Sequence, residues 1–478
     1  MAGIGVDPEE ERAAAEQSAR LLRPDAGGAR PHQPPAGALD RLIAPRFVQV
    51  GLCFLCTWVS YVERQGFSIA YTAIAKELGT PESVKGLVLS AFYYGYASSQ
   101  VPGGWAAGEY GGWLVLRFSH IVWGLCSALT PQVKSTIGPL VCVRAMVGLA
   151  QGLVIPSIHT VLSQWIPPGE KARAVSFTTS GLYLGSTTAM AVFPAVVATM
   201  NPESIPLMSA MLAFTWVLLT VVLAREPTGD PLGLMQGAAP ERRGRDVEAG
   251  GHEAPADAPP PAKGRGKPPP TWSMMLSKAA VWAIVTNNFT FHYAFYVVMN
   301  WLPTFISSGL GVELSELGAL KIAPYILMFV ISNVGGIVGD HLVTKRRWEV
   351  GLVRKLVNTS GFLVATAALL LIPLMKSVTS SIVMTSVAVG GCAFARGGFS
   401  VNHMDIGPRY AGIIMGISNC AGTISGVIGV SLSGVILDSF GGASNMTGWA
   451  FVFGIPAVLN LIGAAHFCIY ARGDRIFT

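Results

Sequence analysis

The chain has 478 residues, of which 51% are hydrophobic and only 13% charged, with a net charge of +6. A soluble domain is about 25% charged, so composition excludes a water-soluble enzyme with an anchor and points to a polytopic membrane protein. Ten-residue alternating strands are absent, which argues against a β-barrel.

Residues 1–45 are polar, rich in Ala, Pro and Arg, and read as a disordered tail. A plastid transit peptide is Ser-rich and poor in acids, whereas DPEEERAAAE at 7–16 is acidic, so the targeting signal in this tail is weak. Apolar windows bounded by Gly, Pro and charge then predict twelve spans, near 47–76, 84–107, 112–131, 136–162, 172–198, 204–224, 279–308, 318–340, 352–373, 378–401, 409–437 and 447–470. Residues 225–277, with GRGKPPP and APADAPPP, form a solvated linker between two halves, 46–224 and 278–471, and 472–478 is a C-terminal tail.

Loop charge supports this count. With the N-terminus on one side, the other side carries only Lys76, Lys85, Lys134, Lys321 and Lys376. The first side receives Arg41, Arg46, Lys171, Arg173, Arg225, Lys345, Arg346, Arg347, Arg354, Lys355, Arg472, Arg475 and the basic residues of the linker. This is the positive-inside pattern, and both termini are expected on the cytoplasmic or stromal side.

The first span holds Arg64, roughly 25 Å along a helix that starts near Phe47. A charge at that depth costs about 2.5–3.5 kcal/mol on insertion scales, so it is expected to face a partner or a polar cavity. Tyr61 lies three residues before it on the same helix face, and the adjacent Glu63 points about 100° away. In the second span are Tyr96 and Gln100. The fourth carries Arg144 and Gln151, seven apart on one face, with His159 near its far end. Arg144 is close enough to a helix end to snorkel. His292 is in the seventh span, Asn419 in the eleventh, and Arg396 in the tenth, where the following Gly-Gly pair allows a loop contact instead. The two histidines suit packing as well as ligation. Cys53 and Cys56 form a CxxC inside an apolar span without a second pair or a histidine cluster, which reads as packing. There is no Walker loop, HExxH or GxSxG, so no enzyme, cofactor or metal site is expected, and no nucleic-acid partner.

The halves share a mark. VPGGWAAGEYGG (101–112) follows the second span and NVGGIVGDHLVTKRR (333–347) the eighth, each with a Gly pair and then an acid, Glu109 or Asp340. Two six-helix halves marked in this way resemble the major facilitator fold, an all-α membrane fold of twelve helices in two pseudo-symmetric halves. There the acid and neighbouring bases, here Glu109, Asp340, Lys345 and Arg346, would latch one conformation. Gly181 and Gly185 in the fifth span, and Gly416, Gly422, Gly426, Gly429 and Gly434 in the eleventh, would let moving helices pack closely.

YVERQGFSIAYT, LSAFYYGYASSQVPGGWAA, RAMVGLAQGLVIPSIHTVLSQWIPP, TTSGLYLGS, WLPTFI, VRKLVNTSGF and NHMDIGPRYAGIIMGISNCAGT resemble the anion:cation symporter family, and GFSIAYT, SIHTVLSQW and TTSGLYLGS its plant plastid phosphate branch. The resemblance implies a secondary carrier of inorganic phosphate coupled to H⁺ or Na⁺, in a plastid inner envelope or another membrane, working as a monomer. It places Arg64 on the substrate anion, with Tyr61, Tyr96, Arg144 and Asn419 around it, and Glu63 and His159 in cation coupling; His292, read from its place in the seventh span, is added to the expected binding residues. Gln151 stands where relatives carry glutamate, which leaves Glu63 as the candidate proton site. Glu63 and Arg64 are expected to neutralise one another until Glu63 is protonated. An organic-anion carrier for glutamate, ascorbate or a sugar acid, or a non-transporting anion sensor, would suit the same residues.

Overall fold

The computed structural model describes residues 44–80, 82–225, 272–311 and 322–477. The tail 1–43, most of the linker (226–271) and Lys321 lie outside the described residues. The elements are α1 (Pro45–Glu77), α2 (Glu82–Tyr110), α3 (Gly112–Val133), α4 (Ile137–Gly152), α5 (Val154–Trp165), α6 (Lys171–Thr199), α7 (Ser204–Leu223), α8 (Trp272–Leu276), α9 (Ala279–Thr304), α10 (Ala323–Thr344), α11 (Val350–Leu371), α12 (Val378–Ile406), α13 (Ala411–Ser439) and α14 (Met446–Tyr470). A chain in lipid must satisfy its backbone internally, and long helices do so within each segment. Their outward faces are apolar, with Phe118, Leu125, Val222, Leu370, Val458 and Ile469 exposed. Their inward faces bury Gln100, Arg144, Asn287, Asn358 and Asn402.

One predicted span is broken. The stretch near 136–162 is not a single helix: α4 stops at Gly152 and α5 starts at Val154. Pro156 has no N–H to give to the Gly152 carbonyl, which releases the ladder at this point. The linker reading also needs a correction at its end, where Trp272–Leu276 forms the short helix α8, onto which Trp282 Nε1 donates through the Leu276 carbonyl.

Packing repeats along the chain. In the first half α2 lies against α4, and α3 against α4 and α7; in the second half α10 lies against α12, and α11 against α12 and α14. The halves meet where α13 packs on α2 and α10 on α6, so that the second span of each half contacts the fifth span of the other. Glycine makes these seams close. A Cβ on Gly104 would meet the Gly412 carbonyl, and one on Gly336 would lie 2.7 Å from the Ala172 carbonyl. Contacts at the helix ends fix the alternation: Arg46 pairs with Glu170 at 2.8 Å at one face, and Lys134 pairs with Glu203 at the other. The face bearing the loop arginines is called the basic face below.

A Cβ on Gly148 would sit on the Phe92 carbonyl of α2, whereas one on Gly138 would meet nothing within 4 Å. Gly148→Ala is therefore expected to destabilise by at least the ~1–3 kcal/mol of ordinary overpacking, and Gly138→Ala to be neutral. Melting of both variants in detergent checks this, and equal melting points would be the contrary result.

Candidate functional site

Among the described residues nine helical stretches are apolar enough to cross a membrane by composition, and α1, α2 and α9 are not among them. These three helices carry Tyr61 and Arg64, Tyr93 and Tyr96, and His292 and Tyr296, and together with the more apolar α6, α12 and α13 they wall a central cavity. Its lining includes Tyr61, Tyr96, Tyr183, His292, Tyr296, Arg396, Asn419 and Thr423, and its free volume is about 20 Å³, room for about one water. Tyr296 and Thr423 also line a wider vestibule of about 190 Å³ with Tyr93, Asn300 and Val430, toward the face opposite the basic one. Both halves contribute to the site: Asn419 donates to the Tyr96 hydroxyl at 3.2 Å and Gln100 to Thr423 at 2.9 Å.

Arg64 is buried among rings. Its guanidinium carbon lies 4.4 Å from the Phe92 centroid, 4.9 Å from those of Tyr93 and Tyr96, and 5.3 Å from that of Tyr61. Nη1 donates to the Tyr61 hydroxyl at 3.2 Å, and Nη2 has no partner. The rings offset part of the burial cost, each desolvated contact contributing up to about 2 kcal/mol. Among the described residues no carboxylate discharges the cation, and Arg64 stands behind the tyrosines rather than among the cavity-lining residues.

The expected local pairing of Glu63 with Arg64 does not occur. Glu63 accepts from Arg144 Nη1 at 2.7 Å and from Gln151 Nε2 at 2.7 Å, both across the α1–α4 contact. Successive helical positions diverge by about 100°, which turns Glu63 toward α4 while Arg64 looks toward α2. Arg144 is correspondingly not a cavity residue and does not snorkel: it is buried, 3.6 Å over the Phe67 ring, and its charge is spent on Glu63. Gln151 supplies the second donor to the carboxylate, so both oxygens are used. His292 does reach the cavity, with Nδ1 2.9 Å from the Asn288 carbonyl.

Residues 53–430 match the family profile described as the Major Facilitator Superfamily. The chain belongs to this superfamily. It is 45% identical over 440 residues to Probable anion transporter 6 of Oryza sativa subsp. japonica, covering 90% of this chain and 99% of that one. Two Arabidopsis thaliana proteins are more distant. Sodium-dependent phosphate transport protein 1, chloroplastic, is 32% identical over 433 residues, covering 90% and 80%. Ascorbate transporter, chloroplastic, is 31% identical over 435 residues, covering 90% and 76%. The crystal structure of the major facilitator transporter FucP in its outward conformation superposes with a TM-score of 0.63 at 14% identity, covering 90% of this chain and all of that one, a likeness of fold. The superfamily consists of membrane transporters, not enzymes, and the chain is an integral membrane protein.

In this major facilitator chain the basic face is closed beneath the cavity. His403 Nε2 lies 2.8 Å from His159 Nδ1, joining α12 to α5, so His159 is set against its own kind rather than against the cavity. Lys171 of α6 reaches Asp405 of α12 at 3.4 Å, and Arg354 of α11 holds the other Asp405 oxygen at 2.8 Å. Asp340 bridges the halves, but not through Lys345 or Arg346, which are exposed. Its carboxylate accepts the backbone N–H groups of Ala172 at 3.0 Å and Arg173 at 2.8 Å, and the Arg173 Nε at 3.2 Å. The free N–H groups of the first turn of α6 and its dipole favour a carboxylate there, whereas Lys345 and Arg346 lie past the end of α10 in solvent. Glu109 at the equivalent place in the first half is exposed, so the latch is one-sided. The tail beyond α14 also closes this face: the N–H groups of Ile476 and Phe477 donate to the Ile406 carbonyl, and the Phe477 ring is buried beside Gly407 and Tyr410.

Removing one partner of a buried ion pair leaves an uncompensated charge, at about 3–5 kcal/mol. Asp405→Asn is expected to lower the melting point by several degrees and to make a cysteine placed at Thr160 reactive to thiol reagents from the basic face. Unchanged labelling and stability would show that the Asp405 contacts do not hold that face shut.

Proposed function

We propose that the chain carries inorganic phosphate across a membrane by alternating access, driven by an H⁺ or Na⁺ gradient, with twelve crossings in two rocking halves. The observation that supports it most is Arg64: a buried cation with an unpartnered N–H and no carboxylate partner among the described residues, beside a cavity shared by both halves. A guanidinium fork suits a tetrahedral oxyanion. The cavity widens away from the basic face, where ion pairs and the C-terminal tail cover it, which suits a resting state that loads from the opposite side. The names of the relatives support a small anion as substrate, that of the 32% relative supports phosphate and sodium coupling, and the word chloroplastic in the names of the 31% and 32% relatives supports a plastid location. Tyr61, Tyr96, His292 and Asn419 would complete the binding site.

An organic anion is the second reading, favoured by the Tyr and Phe walls, which suit a carbon-bearing substrate, and by the name of the ascorbate relative. Competition separates the two: phosphate displaces a carried carboxylate only if phosphate is the substrate.

Radiolabelled phosphate uptake into proteoliposomes, with and without an inward H⁺ or Na⁺ gradient, tests the proposal. Gradient-driven uptake is expected for the native chain and a loss of about 100-fold or more for Arg64→Ala, because the guanidinium packed on Tyr61 and Tyr96 is removed. Absence of uptake by folded native protein would move the assignment to a carboxylate.

Glu63 is the proposed proton site, now with Arg144 as the group released when Glu63 is protonated. In Glu63→Gln the dependence on a pH gradient should disappear while phosphate binding persists; an unchanged gradient dependence in that variant would remove Glu63 from coupling.

A further inference from the structure

Charge inside the bundle does not balance. Among the described residues the buried cations are Arg64, Arg144, Lys171, Arg354 and Arg396, and the buried acids are Glu63, Asp340 and Asp405. Each acid is already engaged. Glu63 is held by Arg144 and Gln151, Asp405 by Lys171 and Arg354, and Asp340 by Arg173 and two backbone amides. Two cations remain without an acid, Arg64 and Arg396.

These two come from opposite halves, α1 and α12. Arg396 lines the cavity directly, its guanidinium 4.8 Å from the Phe291 centroid, and its Nε has no partner. Tyr183 is another lining group of the same cavity. Tyr96 and His292 line the same cavity as Arg396, and the Tyr96 ring lies 4.9 Å from the Arg64 guanidinium. Arg64 and Arg396 thus form two positive poles around one cavity.

We propose that Arg396 is the second pole of the binding site, and that the substrate class is a small anion with two negative charges, a divalent oxyanion or a dicarboxylate, in preference to a monovalent one. This rests on the reading of the chain as an anion carrier. A monovalent anion leaves one of the two cations uncompensated inside the bundle, whereas a divalent one brings the loaded cavity to neutrality, the state that crosses the apolar midplane at least cost. The poles belong to different halves, so a divalent anion also draws the halves together, which couples occupancy to closure. A purely structural Arg396, packed on Phe291, would affect every substrate alike.

The test uses purified full-length chain, with inorganic phosphate, succinate and butyrate as probes, read both as competition with uptake into proteoliposomes and as the shift in melting temperature in detergent. The native chain is expected to respond to phosphate and succinate at concentrations roughly 10- to 100-fold below those needed for butyrate, the range of one charge-assisted contact. Arg396→Gln should collapse that ratio, and Arg396→Lys, which keeps the charge, should retain most of it. A ratio near one in the native chain, an unchanged ratio in Arg396→Gln, or an Arg396→Lys variant as indiscriminate as the glutamine would overturn the proposal. Should Arg396→Gln fail to fold, the native ratio and Arg396→Lys still decide. The two readings fail separately. Melting shifts that prefer divalent anions through Arg396, without any uptake, would refute transport but not the second pole. Uptake without discrimination by charge would refute the second pole but not transport.

Discussion

The clamp on Glu63 governs the electrostatics of the site. Arg144 and Gln151, both from α4, occupy the two oxygens of Glu63, the acid adjacent to Arg64 in the chain. That arrangement fixes α1 against α4 and withdraws the acid from the cavity. Arg64, one position further along α1, is left to the faces of Phe92, Tyr93, Tyr96 and Tyr61. Aromatic faces attract a cation but cannot neutralise it. Both guanidiniums lie against the Phe92 ring, that of Arg64 at 4.4 Å and that of Arg144 at 5.3 Å from its centroid. One buried arginine is therefore structural and the other remains available to an anion, although the two lie against the same ring.

A positive cavity constrains the rest of the bundle. Among the helices that line it, α1, α2 and α9 fall short in hydropathy, whereas α12, which carries Arg396, does not. Alternating access, as proposed, would have the halves separate, and their seams rest on glycine contacts and small hydroxyls. At the basic face the closure is ionic and local: His159 with His403, Lys171 and Arg354 with Asp405, and Asp340 with the start of α6. Such contacts are directional and fail together once the helices tilt, which suits a two-state gate better than a broad apolar interface would.

Much of the fold was legible because its signals are local. Apolar run length, Gly and Pro punctuation and loop charge depend on neighbouring residues, and they located the long helices and their alternating direction. The shared face of Tyr61 and Arg64 and the divergence of Glu63 followed from helical geometry alone. What the sequence did not disclose was pairing across space. Glu63 meets Arg144 81 residues away and Asp340 meets Arg173 167 residues away, and no periodicity encodes such partners. The break at Leu153 was readable from Pro156, whose missing N–H has a defined consequence four residues earlier. The seat of Ile476 and Phe477 left no signal, since a short tail looks the same whether docked or free.

Gln151 bears on how coupling would operate. A glutamate at that position would set two carboxylates beside one arginine, and like charges at such range cannot both be ionised, so the pair would hold a proton. The amide removes that option and donates instead. Glu63 is then bound from both sides, and protonating it must break a contact to Arg144 or Gln151 before Arg144 is released. A released Arg144 would add a third uncompensated cation next to the Phe92 ring, close to Arg64. The bundle can tolerate that only while an anion is present, so proton and anion would favour one another's binding through α1 and α4 without touching. Under the proposed coupling, the same clamp that keeps the acid away from the cavity would provide a route by which the acid senses what the cavity holds.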